Sequence, residues 1–245
     1  MRVLLLGTTG YHPTDTRQTA CVLLPDLGIA FDAGTGMFRV GRNITAETLD
    51  IFLSHTHLDH VVGLTYFFTL LHEKPLRQIT VHGDAKKLAA VREHLFHEEL
   101  FPVMPSYEWQ SAQPTTTLAN GASVRAFQLN HPGGCLGFRL DYQGKSLAYV
   151  TDTTASDGVD YVSAIRGVDV LLHECNFPDG HADLAEKTGH SCLSQVAHVA
   201  AAAQVKRLVL IHFDPVLEVQ ANEVAAARKI FAAIEAGCDG MELVV

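Results

Sequence analysis

Short apolar runs lie within 2–6, 20–24, 28–32 and 51–54 in the first third of the chain, each closed by Gly, Pro, Asp or a polar cluster. Runs of this length between turn formers predict strands. After His60 the spacing changes to three and four through Val61, Leu64, Phe67, Phe68 and Leu71, which predicts a helix. A buried strand at 79–82 and a second helix at 85–97 follow. The second half begins again with strands at 123–129, 136–142 and 146–150, the last two joined by a turn at Gln143-Gly144-Lys145. Apolar runs at 168–172, broken only by Asp169, and at 208–211 predict strands buried on both faces, with an Ala-rich helix at 193–203 between them. A helix at 221–236 and a strand at 241–245 complete the pattern. Two strand-rich halves with no Ser/Pro-rich linker predict one α/β domain over 1–245, made of two packed sheets with helices outside. The segment 96–109 fits this plan poorly: Phe96, Phe101, Met104, Tyr107 and Trp109 are interrupted by prolines, which suits a covering layer over the core, a lid or a dimer contact.

The 245 residues suffice to bury a core without disulfides or a structural metal, so a metal would serve chemistry. A formal charge of -9 argues against a broad cationic surface for extended nucleic acid. The five cysteines, Cys21, Cys135, Cys175, Cys192 and Cys238, form no C-x-x-C pair and read as buried small hydrophobes in a reducing compartment. No apolar segment approaches a membrane span, and the opening run is too short for a signal peptide, so a cytoplasmic location is expected.

What changes the picture is the placing of the histidines. Ser54-His55-Thr56-His57-Leu58-Asp59-His60 follows an apolar strand and precedes a helical pattern. If the strand continues through His55 and His57, its period of two puts both imidazoles on one side, and the turn brings Asp59 and His60 back to them. Imidazole and carboxylate suit zinc, and also Mn or Fe(II). Four donors from one loop do not complete two metal sites. His131, Asp152 and His212 each follow a predicted strand and supply further donors of the right type. His12, His72, His82, His94, His97, His181 and His198 receive no role from spacing.

His55-Thr56-His57-Leu58-Asp59-His60, then His131, Asp152 and His212, resemble the ordered ligand motifs of the metallo-β-lactamase superfamily. The resemblance implies an αββα sandwich with a two-metal site at the edge between its sheets. One metal, most simply Zn2+, would take His55, His57 and His131, the other Asp59, His60 and His212, with Asp152 bridging; Mn2+ and Fe2+ are alternatives. Phe31-Asp32-Ala33-Gly34-Thr35-Gly36, Leu172-His173-Glu174-Cys175, Gly189-His190-Ser191 and Ile211-His212-Phe213 are similar to motifs of ribonuclease Z and related phosphodiesterases. Ribonuclease Z carries a long tRNA-gripping arm between its equivalents of His131 and Asp152, whereas only residues 132–151 separate them here. The departure favours a small or cyclic phosphodiester over tRNA.

For that reaction Asp59 would orient the attacking water or accept its proton. His190, not required as a ligand, would protonate the leaving oxygen, with Glu174 orienting it. Arg39 and Arg42 could reach a substrate phosphate or serve the surface. Lactone, thioester, sulfate-ester or β-lactam hydrolysis on the same ligands, a diiron redox role and a non-catalytic module are the competing classes. A homodimer is the assembly such relatives suggest.

Overall fold

The computed structural model describes residues 1–156 and 158–245. The chain divides into two compact units, Met1–Gln113 with Asp239–Val244 and Pro114–Cys238 with Val245.

The first unit is a seven-stranded sheet built from β1 (Arg2–Gly7), β2 (Cys21–Leu24), β3 (Ile29–Phe31), β4 (Thr48–Phe52), β5 (Gln78–Gly83), β6 (Glu108–Ser111) and the last strand of the chain, β14 (Glu242–Val244). Their order is β14-β1-β2-β3-β4-β5-β6. From β14 to β3 neighbours run antiparallel, and from β3 to β6 parallel. The second unit repeats the scheme with β7 (Thr115–Thr117), β8 (Ser123–Leu129), β9 (Cys135–Tyr142), β10 (Lys145–Val150), β11 (Val170–Glu174), β12 (Leu208–Ile211) and β13 (Ile234–Ala236) in the order β13-β12-β11-β10-β9-β8-β7. Here β7 to β10 are antiparallel and β10 to β13 parallel. Parallel strands need helical crossovers and are covered on both faces, which is why β11 and β12 are buried at every position.

Most strands fall where the apolar runs placed them, and Gln143 and Gly144 turn the β9–β10 hairpin with φ 49 and 75. Three expectations need correction. The helix at 221–236 stops early: it spans Ala221–Ala227, and the residues beyond form β13, because Ile234 gains more by pairing with Leu208 and burying its side chain than by another helical turn. The strand before the histidine cluster ends at Phe52, so His55 and His57 lie in a loop and the period-two argument does not hold. Cys238 is exposed, unlike the other four cysteines. In the segment 96–109, Phe96 and Tyr107 are buried and both make edge contacts with Trp109, Tyr107 also with Phe67, while Leu100, Val103 and Met104 are exposed. It is mainly a cover for the core of the first unit. No helix among the described residues is long and apolar enough to cross a membrane.

Two stretches of main chain lock together beside the histidine loop. Ala33 N–H donates to His60 O at 2.8 Å and Gly63 N–H donates to Ala33 O at 2.8 Å. A Cβ on Gly63 would lie 2.2 Å from Gly34 O and 2.4 Å from Met37 Cβ, so the approach exists only because residue 63 has no side chain. Gly63→Ala is expected to destabilise by about 1–3 kcal/mol, lowering Tm by roughly 2–12 °C for a chain of this size; a thermal melt checks this.

Candidate metal centre

In the first unit, β4 delivers the chain to a loop at its carboxyl end, the end at which open α/β sheets place ligands. His57 opens the short helix Leu58–Val61 with φ -64 and ψ 150. Although no strand runs through them, the rings meet: His55 lies 4.5 Å from His57 and 4.2 Å from His60, centroid to centroid. Asp59 Oδ2 is 3.3 Å from His60 Nε2 and accepts a 2.8 Å hydrogen bond from Tyr11 N–H.

Asp32 holds this group in place. Its buried carboxylate accepts from Ser54 N–H and Ser54 Oγ, both at 2.7 Å, and pairs with His60 Nδ1 at 2.8 Å. Ser54 Oγ also lies 3.0 Å from His55 Nδ1. Both buried imidazoles are thus gripped through Nδ1, the arrangement by which outer partners aim Nε2 of a ligating histidine at its metal. Asp32 has φ 57, uncommon outside glycine, and its turn is where the chain reverses from β3.

In the second unit His131, Asp152, Glu174 and His212 leave or end β8, β10, β11 and β12. His131 Nδ1 donates to Gly189 O at 2.9 Å, and its Nε2 is 3.7 Å from Asp152 Oδ2. Gly189 caps a helix at φ 76, and a Cβ there would fall 2.2 Å from Pro132 Cδ and 2.8 Å from His131 Nδ1. His212 Nε2 is 3.2 Å from Asp152 Oδ1, and Thr151 Oγ donates to the same oxygen at 2.5 Å. Asp152 and His212 have φ 43 and 56, conformations that tend to survive where function requires them.

Glu174 Oε1 accepts from His190 Nδ1 at 3.1 Å. The His190 ring sits 5.2 Å from His131 and 5.5 Å from His212. Ligand atoms of Asp152, His190 and His212 lie within 4.8 Å of one another, so His190 stands closer to the donors than its expected role as a separate acid required. Behind it His173 is buried, and burial pushes its pKa down. Its Nδ1 donates to Glu174 O at 2.7 Å, so Nε2 accepts from Tyr161 O–H at 2.8 Å. Tyr161 in turn helps line a cavity of about 470 Å³ with Asn130 and Thr154, neighbours in sequence of the His131 and Asp152 loops.

The two arginines considered for substrate are otherwise engaged. Arg39 Nη1 donates to Asp239 and to Leu6 O, both at 2.7 Å, and Arg42 pairs with Glu73 at 3.1 Å. Asp32 was noted in the sequence only for its motif. The signal for a positioning role was an Asp before a glycine turn at a strand end, which many structural turns share.

Residues 28–213 match the family model described as the beta-lactamase superfamily domain. Ribonuclease Z of Natronomonas pharaonis is 25% identical over 274 positions, covering 87% of each chain. Among solved structures, the short form of human tRNase Z superposes with a TM-score of 0.76 at 22% identity, covering 100% of this chain and 99% of that one. A diphosphatase of the PhnP family gives 0.75 at 20% identity, covering 100% and 97%. The two-sheet α/β architecture is the metallo-β-lactamase sandwich fold that the motifs implied, and the chain belongs to the beta-lactamase superfamily.

Proposed function

We propose that this member of the superfamily is a metal-dependent phosphodiesterase acting on a small or cyclic phosphodiester. The donors His55, His57, Asp59, His60, His131, Asp152 and His212 would hold two divalent ions, most simply Zn2+. The donor chemistry fits: buried imidazoles aimed through their Nδ1 partners and carboxylates beside them are the ligand types of zinc, manganese and ferrous sites. Such ions supply a nucleophilic water at neutral pH and neutralise charge on phosphoryl oxygens.

The chain's own groups then carry the protons. Asp59, held by Tyr11 N–H, orients the water or takes its proton. His190 keeps Nδ1–H on Glu174, which orients the ring, and delivers a proton from Nε2 to the leaving oxygen.

The observation that carries the choice of a small substrate is the hairpin Cys135–Val150. Its strands pair from Tyr142 and Lys145 down to Phe138 and Tyr149 and close through a tight turn, leaving no arm at the place where ribonuclease Z has one. The alignment with the Natronomonas enzyme is longer than this whole chain, so that relative carries segments with no counterpart here. Processing of tRNA 3' ends is the second reading, favoured by the ribonuclease Z relatives.

Metal-analysed protein is expected to hold about two ions per chain and to hydrolyse bis-p-nitrophenyl phosphate, with activity lost on chelation and restored by Zn2+ or Mn2+. His190→Ala should lower kcat by roughly 10²–10⁴-fold, and Asp152→Ala should lower both metal content and turnover. Activity on a lactone or nitrocefin without diester turnover would move the protein to another hydrolase class, and cleavage of a precursor tRNA in preference to small diesters would favour the second reading. Glu174→Gln should cost about 10–100-fold.

A further inference from the structure

Tyr11 lies in the loop between β1 and β2, and it is unusual in three respects. Its φ is 58, a left-handed conformation in which a bulky side chain is strained and glycine is at ease. Its side chain is 80% exposed, so the ring contributes little to the core of its unit. Its N–H nevertheless donates to Asp59 Oδ2 at 2.8 Å, which ties the strained residue to the histidine loop.

The ring is also braced. His12 lies 5.1 Å from it at 60°, and His12 Nδ1 donates to Pro13 O at 2.9 Å. A second large apolar residue in the histidine loop is also turned to solvent: Leu58, between His57 and Asp59 in sequence, is 69% exposed. Tyr11 and Leu58 are thus two large exposed side chains, the first on a residue whose backbone is bonded to the Asp59 carboxylate and the second one position before Asp59 in the chain. Folding alone would favour glycine at position 11 and a polar residue at position 58.

We infer that Tyr11 is a specificity-determining residue whose ring stacks on a planar ring of the substrate, so that the favoured diester carries a nucleobase or a group of like shape. An aromatic face exposed beside reacting groups recognises any base, because every base presents a π-face. Fixing the platform before the substrate arrives avoids an ordering cost on binding. This rests on the phosphodiesterase reading for its catalytic arm only.

The test compares adenosine 2',3'-cyclic phosphate with glycerol 1,2-cyclic phosphate, five-membered cyclic diesters with and without a base, for the parent, Tyr11→Gly and Tyr11→Trp. Tyr11→Gly is expected to lower the ratio of kcat/KM for the two substrates roughly tenfold through KM, and Tyr11→Trp to preserve it. Its melting temperature should equal or exceed the parent's, because glycine relieves the backbone strain. Calorimetric binding of 3'-AMP and ribose 5-phosphate gives a readout that needs no turnover. Preference for 3'-AMP in the parent, reduced in Tyr11→Gly, supports the inference even if no diester is hydrolysed, in which case the phosphodiesterase reading alone fails. An unchanged ratio, an equal loss on both substrates, or no preference for 3'-AMP overturns it.

Discussion

The carboxylate of Glu174 is fully buried at the end of β11, and the second half of the candidate site depends on it. One oxygen accepts from Thr153 N–H and His190 Nδ1, the other from Asn176 N–H and Ser191 N–H, at 3.0 to 3.3 Å. A buried charge is tolerated only when its lone pairs are satisfied, and here four donors come from three separate turns. Each charge-assisted bond is worth about 1.5–3 kcal/mol, and losing one would leave a charge in a dry interior. The turn after Asp152, the turn after β11 and the turn carrying His190 are therefore held in one arrangement. Ser191 Oγ reinforces it by donating to Thr153 O and accepting from Ala155 N–H.

Asp32 performs the corresponding task in the first unit. It too is a buried carboxylate at the end of a strand, and it too spends its lone pairs on a neighbouring loop, here Ser54 and His60. The two halves share more than a strand count. In each, antiparallel strands lead into parallel ones, the donors leave strand ends, and one acid beneath them fixes the loops from below. The rigidity this gives is what a metal centre needs, since ligand positions must be set before the ion arrives.

Strain is concentrated in the same places. Tyr11, Asp32, Asp152 and His212 all adopt positive φ, and each belongs to a loop bearing donors or bound to one. Such conformations cost of order 1–3 kcal/mol each and persist where surrounding contacts over-determine them, as the hydrogen bonds to Asp32, Asp152 and Glu174 do.

The sequence by itself determined the donors' types and their order, because these are local: a cluster within six residues, and single His or Asp residues just past apolar runs whose strand character depends on their own composition. It also indicated the β9–β10 hairpin, since a Gly turn between alternating runs acts over a few residues. It missed β13, where an alanine-rich stretch favours helix by its own propensity and pairing with the edge of β12 overrides it. The tertiary structure alone decided that Asp32 grips His60 across 28 positions, that Arg39 is occupied by Asp239 across 200, and that Tyr11 is tied to Asp59. Those contacts depend on which strands become neighbours in a sheet, and no window of sequence contains that information.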